Sequence, residues 1–308
     1  MEPAPLTWTF TGFTVPTSGT QNWYFDLSQI ASIVNRRFYR QGLNWAVAGF
    51  KVISASGSNG SIVVSKVPNT WVASGAWEKS MRAWLTQQDE ALERLDDPAP
   101  ARFRDFKIFL DEAHVAQYVA AGSDLNATNQ LPPGALSGEW EASQIVIPND
   151  GGVGITNEYN LHMVGSNVAT SKAMISGYAN SRNTPHSPDP VSPGPLDNNF
   201  FNRMFDVGDN SDEIVENATD KNDNLPYDRD DYPGETANQG AAEVHDLEYI
   251  TPTTIGGTTR LKGGNFPCGL VKMTGINFSE SDTLDFTLHI DLVPGHHRGY
   301  LCEPMTEM

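Results

Sequence analysis

Alternation of apolar and polar residues dominates the chain and predicts that it is built mostly of β-strands. The clearest run is residues 284–292, LDFTLHIDL, in which every second residue is apolar. A period of two places one set of side chains in a core and the other in water. Similar runs are LTWTFTGFTV, LNWAVAGFKVIS, SIVVSKV, RDFKIFLD, SQIVIP, EYNLHMVG, VHDLEYIT and CGLVKMTGI. They predict about nine or ten strands, with Gly12 as a bulge in the first.

Two segments change to a helical period. In FDLSQIASIVNRRFYRQG the apolar residues repeat every four positions, Asp26 can cap the start, and Gly42 can end the helix. Residues 74–95 carry an apolar stripe that predicts the longest helix, with Ser74 as its cap. The helices interrupt the strands without regular alternation. We therefore expect a mainly β fold, an antiparallel β-sandwich with one long and one or two short helices inserted and long loops.

Length and composition agree with one large β domain over residues 1–308. Residues 181–240 carry repeated prolines followed by acidic residues, and they predict a long loop excursion within that domain. No apolar run approaches the roughly 20 residues of a membrane span, so no membrane segment is expected. The start of the chain, MEPAPLTWTF, lacks the pattern of a signal peptide. Cys268 and Cys302 are expected to be free thiols.

The formal net charge is −18, and residues 206–235 carry half of this excess with eleven acids against two bases. Such a density of carboxylates attracts divalent cations. The spacing partly matches the oxygen positions of an EF-hand loop, but Leu225 stands where the turn needs glycine. No EF-hand is predicted, and no other cofactor is expected. The candidate ligands of a divalent cation are Asp220, Asn222, Asn224 and Asp231.

Basic residues form two small clusters. Arg36, Arg37 and Arg40 lie on the first predicted helix among aromatic neighbours, which makes them candidates for phosphate contact. Residues 102–107 hold a second cluster of two arginines and a lysine. Pairing with the surplus of acids accounts for these bases equally well.

The chain carries no strong catalytic motif, so it is not expected to be an enzyme. G-x-S-x-G, H-E-x-x-H, a Walker loop and G-x-G-x-x-G are all absent from the sequence. A hydrolase with scattered acidic residues ranks last among the functions considered. His296 and His297 are adjacent, and neighbours on an extended chain point in opposite directions, so we expect a solvated turn and no metal site.

Four segments resemble capsid proteins of environmental circular, Rep-encoding single-stranded DNA viruses. They are YFDLSQIASIVNRRFYRQGLNWAVAGFKV, VPNTWVASGAWEKSMRAWLTQQDEAL, ARFRDFKIFLD and LHIDLVPGHHRGYLCEPM. The most specific pieces are PNTWVASGAWEK and VPGHHRGYLCEPM, and residues 120–240 carry no resemblance. The resemblance implies a viral jelly roll that self-assembles into an icosahedral shell around a small circular single-stranded DNA. The expected partners are further copies of the chain, and the expected location is the virion, assembled inside the host cell.

One departure concerns the packaged DNA. Such capsid proteins commonly begin with a basic arm, whereas the first 35 residues here contain no lysine or arginine. Arg36, Arg37 and Arg40 are then the nearest candidates for DNA contact, and the acidic stretch is expected to face outward or bind cations. A second hypothesis is a secreted or surface β-sandwich that binds carbohydrate or Ca²⁺, suggested by the seven tryptophans and the acidic stretch.

Overall fold

The computed structural model describes residues 3–94, 104–121, 141–148, 156–183 and 242–308. The strands of this part are β1 (Thr7–Val15), β2 (Thr20–Asp26), β3 (Leu43–Ser54), β4 (Gly60–Lys66), β5 (Gln144–Pro148), β6 (Thr156–His162), β7 (Ser171–Ala173), β8 (Glu243–Ile250), β9 (Thr258–Phe266), β10 (Leu270–Asn277), β11 (Leu284–Leu292), β12 (Pro294–Gly295), β13 (Gly299–Tyr300) and β14 (Cys302–Pro304). Its helices are α1 (Leu27–Asn35), α2 (Trp71–Glu93), α3 (Glu112–Ala121) and α4 (Met174–Asn183).

Two antiparallel sheets form the main body. The first has the order β1-β11-β3-β9, and the short β14 also pairs with β3. The second has the order β2-β10-β4-β8. The expected mainly β, antiparallel sandwich is therefore confirmed.

Aromatic side chains fill the space between the sheets. Phe13 on β1 lies 5.2 Å, centroid to centroid, from Trp23 on β2 and 5.2 Å from Phe286 on β11. Trp23 and Phe286 are 5.5 Å apart and nearly perpendicular. Such pairs contribute about 0.5–1.5 kcal/mol each beyond the area they bury. The alternating positions noted in the sequence thus point into one shared aromatic core.

Gly12 makes the predicted bulge in β1. Its φ is +84°, a left-handed conformation that glycine adopts at little cost, and the pairing of β1 with β11 shifts register between Phe10 and Phe13. The bulge keeps both Phe10 and Phe13 buried in the core although they are three residues apart.

Side chains of β8 cover the open edge of β9. The imidazole Nε2 of His245 lies 3.1 Å from the carbonyl oxygens of both Lys262 and Gly263. The amide of Lys262 donates to Asp246 Oδ2 at 2.7 Å. These contacts give edge groups partners that a free strand would leave to solvent or to another chain.

The described residues between β4 and β8 form a second layer on the outer face of the second sheet. The Tyr24 ring of β2 stacks on the His114 ring of α3 at 4.2 Å. Lys272 of β10 forms an ion pair with Asp111 at 2.7 Å. A separate buried apolar cluster joins α2, α4 and β6 to this face. Residues 181–183 of the predicted excursion belong to α4, and residues 184–241 lie outside the described residues.

Several predicted boundaries were wrong. Helix α1 ends at Asn35, not near Gly42, because Arg36 adopts a left-handed conformation with φ +54°. Helix α2 begins at Trp71, three residues before Ser74, because Thr70 accepts a capping hydrogen bond from the Ala73 amide. The described part contains three short helices, so the expected one or two is also corrected.

The segment RDFKIFLD was predicted to be a strand and is not one. Its apolar side chains are buried as expected, but side chains supply two of its backbone partners. The Lys107 amide donates to Ser143 Oγ at 3.0 Å and the Ile108 amide donates to Gln41 Oε1 at 2.7 Å. Only Phe109 forms a strand-like bridge, with His162. The alternating pattern therefore predicted correctly which side chains are buried here. It did not predict the hydrogen bonding, because the segment lacks a continuous ladder of strand hydrogen bonds.

His162 is fully buried in the second layer, where its Nε2 donates to the Ser166 carbonyl at 3.0 Å. Burial lowers the pKa of His162 below 6.5, while the Ser166 carbonyl, Glu112 and Asp111 act in the opposite direction. The unfolded chain then binds more protons than the folded chain. The free energy of unfolding should therefore fall as the pH drops through 6.5 toward the folded-state pKa.

We predict that His162→Gln removes this part of the acid sensitivity while retaining a side-chain donor. Urea unfolding at about pH 7.5 and about pH 5.5 should show a smaller loss of stability in the variant than in the parent chain. His296→Gln, at an exposed turn, is the control and should leave the parent's loss unchanged. Equal losses in parent and His162→Gln would contradict the assignment.

Candidate nucleic-acid interface

Arg36, Arg37 and Arg40 lie with exposed side chains on residues 36–42, which we call the arginine loop. The loop joins α1 to β3 and begins where the left-handed Arg36 ends the helix. Buried Tyr39 and Gln41 alternate with the exposed residues and hold the loop to the body of the protein.

Hydrogen bonds to buried groups fix the shape of the arginine loop. The Tyr39 amide donates to Ser32 Oγ at 2.9 Å. The Gln41 side-chain nitrogen donates to Asp26 Oδ2 at 3.1 Å and to the Ile108 carbonyl at 2.9 Å. Asp26 also caps α1 by accepting from the Ser28 amide at 2.9 Å. The loop is therefore held in one conformation before any ligand binds.

A short hairpin near the end of the chain lies beside this loop. After β11 the chain leaves the sheet, forms the β12–β13 hairpin, and returns as β14 on the same side of β3. The chain leaves β3 and returns to it at Ala46. The Ala46 carbonyl accepts a hydrogen bond from the Val293 amide at 3.2 Å, and the Ala46 amide donates to the Leu301 carbonyl at 3.0 Å. Residues 296–298 form the hairpin turn and project from the sheet.

The hairpin turn and the arginine loop contact each other through Tyr39 and Arg298. The Tyr39 hydroxyl donates to the Arg298 carbonyl at 3.2 Å, and the Arg298 guanidinium donates to the Phe38 carbonyl. That guanidinium also lies 5.8 Å from the centre of the Tyr39 ring. Burial, and secondarily the charge of Arg298, lower the pKa of His297.

Loop, hairpin and helix α2 enclose a groove of about 830 Å³. Its polar and charged lining comes from the arginine loop, the hairpin and residues 104–105. Its apolar lining consists of Phe38, Leu43, Trp77, Met81, Trp84, Leu85 and Phe106. Trp84 lies 5.5 Å from Phe106, ring centre to ring centre, and both are mostly buried. The groove thus joins an apolar surface to several guanidinium groups.

The charges of the groove are only partly neutralised. Arg104 pairs with Asp89 at 2.5 Å, and Asp105 lies 3.4 Å from the Lys107 ammonium. Burial raises the pKa of Asp105, against the opposing effects of Lys107 and Arg40. Among the residues that the structure describes, no carboxylate forms an ion pair with Arg40 or Arg298. Arg40 and Arg298 therefore keep their charge in the groove lining, although the Arg298 guanidinium already donates to the Phe38 carbonyl and Asp105 lies in the same lining.

The structure brings together residues from both basic clusters of the sequence. Arg40 and Arg104 line the same groove although 63 positions separate them. Burial raises the pKa of Tyr39, and the positive charges of Arg37 and Arg298 act in the opposite direction. Arg36 is exposed on the same loop outside the groove lining. The role of Arg36, Arg37 and Arg40 in nucleic-acid contact stays a prediction.

The predicted cation ligands lie in a part of the chain that the structure does not describe. Asp220, Asn222, Asn224 and Asp231 lie outside the described residues. In the part of the chain that is described, no group of three or more His, Cys, Asp or Glu side chains could hold a metal ion. No described helix is long and apolar enough to span a membrane.

Two smaller sequence features are now located. His296 and His297 form the turn of the β12–β13 hairpin, where the His297 amide donates to the Tyr300 carbonyl at 2.9 Å. Cys268, which is buried, and Cys302 are free thiols.

The sequence did not single out Arg298 or the tryptophans of α2 as site residues. Trp77 and Trp84 were assigned only to the apolar stripe of a helix, and Arg298 is a lone base after two histidines. Both tryptophans are indeed mostly buried, yet their remaining surface lines the groove. Their signal was the unusual density of tryptophan on one helix face.

Comparison of the chain with models of known protein families, with curated proteins and with solved structures finds no match. The function is therefore inferred from the order of the strands, from the sequence segments quoted above and from the geometry of the groove.

We predict that Asp26→Ala loosens the arginine loop. The change removes a helix cap, which costs about 1 kcal/mol, and one acceptor of the buried Gln41 amide, which costs about 1 kcal/mol more. Urea unfolding should show a loss of about 2 kcal/mol, and trypsin should cut faster after Arg36, Arg37 or Arg40.

Thr70→Ala is the matched control, because it removes only the cap of α2. It should cost at most about 1 kcal/mol and leave cleavage at the arginine loop unchanged. If Asp26→Ala left that cleavage unchanged as well, the loop would not depend on Asp26.

Proposed function

We propose that the chain is a viral coat protein that self-assembles into an icosahedral shell around a small circular single-stranded DNA, and that its sandwich is a viral jelly roll. The observation that carries the proposal is the order of strands in the two sheets. Jelly rolls are eight-stranded double sheets and are common in viral capsids. Apart from the short β14, the two main sheets here contain eight strands, which divide into β1-β11-β3-β9 and β2-β10-β4-β8.

The pairing of these strands follows a simple rule. If the eight are counted along the chain, the first pairs with the eighth, the second with the seventh, the third with the sixth and the fourth with the fifth. This is the pattern of one long two-stranded ribbon that has been folded over and rolled up. Such a ribbon gives its name to the jelly roll, and a random antiparallel sandwich has no reason to obey it.

The two most specific capsid-like segments of the sequence meet in space. Ser74, within PNTWVASGAWEK, donates from its hydroxyl to the Met305 carbonyl of VPGHHRGYLCEPM at 2.5 Å. The Met305 side chain is fully buried, and its amide donates to the Gly42 carbonyl at 3.3 Å. The resemblance therefore falls on residues that hold the end of the chain against α2. This supports a shared architecture, because these residues carry no chemistry of their own.

The groove and the arginine loop supply cationic surface that a strongly acidic chain would need in order to contact DNA. Jelly rolls also occur among lectins, so the fold does not decide between a shell protein and a carbohydrate-binding or Ca²⁺-binding module. Self-assembly distinguishes the two hypotheses.

We predict that the purified full chain forms closed particles of uniform diameter, seen by negative-stain electron microscopy and as a fast boundary in sedimentation velocity. Repetition over several salt concentrations and pH values covers the conditions under which subunit contacts form. A 33.7 kDa monomer under all of them would refute the proposal. Calorimetry with calcium and a glycan array, applied to such a monomer, would then test the binding-module hypothesis.

A further inference from the structure

The groove combines an apolar lining with cationic groups. The accessible part of the apolar lining comes mainly from exposed Phe38 and half-buried Met81 and Leu85, because Trp77, Trp84 and Phe106 are only 6%, 8% and 5% exposed. Its rim carries Arg40 and Arg298 with no paired carboxylate among the described residues. A ligand that fits both surfaces has a flat apolar part and a negative group next to it.

The size of the groove narrows the choice of ligand. A volume of about 830 Å³ lies within the range of about 300–1,000 Å³ that is usual for small-molecule sites. Gly42 packs directly against the Trp77 ring in this lining, because a Cβ atom there would come within 2.3 Å of the ring. A nucleotide has a planar base, a sugar and a phosphate, and so meets the requirements of size, shape and charge together.

We propose that the groove takes one unstacked nucleotide of a single-stranded nucleic acid, with its base against the apolar lining at Phe38, Met81 and Leu85 and its phosphate on Arg40 and Arg298. A base inside a duplex cannot reach such a lining, because both of its faces are stacked. Stacking of a base on aromatic side chains tolerates any sequence, which suits a site that meets a genome at many places. The inference rests on the proposed function, in which the chain encloses single-stranded DNA.

Fluorescence anisotropy of the full chain with a labelled oligothymidine of about ten nucleotides tests the inference. Two further probes of equal length are an abasic oligonucleotide, which keeps the phosphates, and a duplex. We expect the oligothymidine to bind about tenfold more tightly than either of these probes, because only its bases can enter the groove.

Two variants remove the groove's features one at a time. Arg40→Ala deletes a rim charge and should weaken oligothymidine binding by about fivefold or more. Leu85→Glu places a carboxylate on the half-buried apolar wall and should abolish the preference for oligothymidine over the abasic probe. Circular dichroism and urea unfolding establish that each variant is folded.

Matched controls separate a local site from general electrostatics. Arg260→Ala removes the same charge from an exposed position on β9, and Thr86→Glu adds the same charge one residue along α2 on an exposed position. Neither position lines the groove, so both should leave binding within about twofold of the parent chain. Equal effects of Arg40→Ala and Arg260→Ala, or equal affinity for the oligothymidine and the abasic probe, would overturn the inference.

A competing occupant would give a different result. If a synthetic peptide of the acidic residues 206–235 bound the parent chain but not Arg40→Ala or Leu85→Glu, and oligothymidine did not bind, the groove would belong to this segment of the chain. The inference and the proposed function fail separately. Oligothymidine binding without particles would refute only the proposal that the chain forms a shell. Particles with no binding at the groove would refute only the proposed nucleotide site.

Discussion

The contacts of one buried side chain, Gln41, join the three parts of this protein that meet at the candidate site. Its amide nitrogen donates to Asp26, at the junction of β2 and α1, and to the carbonyl of Ile108 in the second layer, whose amide donates back to the Gln41 oxygen. Buried polar groups are costly when unpaired, so this residue is stable in its place only if all three parts are in position. The arginine loop thereby inherits the rigidity of the sandwich, although the loop itself lies on the surface.

The groove is a consequence of where the chain leaves the sandwich. The arginine loop, the large insertion after β4 and the β12–β13 hairpin all lie at the ends of long strands, and the pairing of β3 with β9, β11 and β14 brings them to the same side. A sandwich with these pairings and short connections would have no such concavity. Loops carry the site while the aromatic core between the sheets carries the stability, which is the usual division of roles in β folds.

Sequence patterns predicted those parts of the fold in which neighbouring side chains face different environments. Strand β11 alternates without exception because one face meets the core and the other is more exposed, and the Gly12 bulge follows from a break in a similar alternation. Strands β2 and β9 were missed because neither shows a clear alternation. Residues 23–26 of β2 are all buried, so both faces of that strand lie in contact with other residues, and β9 contains two glycines that interrupt its pattern. For the site, the sequence indicated the two basic clusters that hold Arg36, Arg37, Arg40 and Arg104, whereas the pairing of distant segments that adds Arg298 is a property of the fold.

The charge of the chain gives this local geometry its importance. With a net charge of −18, long-range attraction cannot bring a polyanion to the surface as a whole, and beyond about 10 Å at ordinary salt the field of distant groups is screened. Contact with a nucleic acid would therefore depend on short-range features, namely guanidinium groups outside ion pairs with the described carboxylates and an apolar surface beside them. The Asp26–Gln41–Ile108 bonds hold the backbone of the arginine loop, and the bonds between Arg298, Tyr39 and Phe38 hold the hairpin against it, so little backbone entropy would be lost on binding. An acidic chain can in this way retain a site for an anion, provided that the site is rigid before the anion arrives.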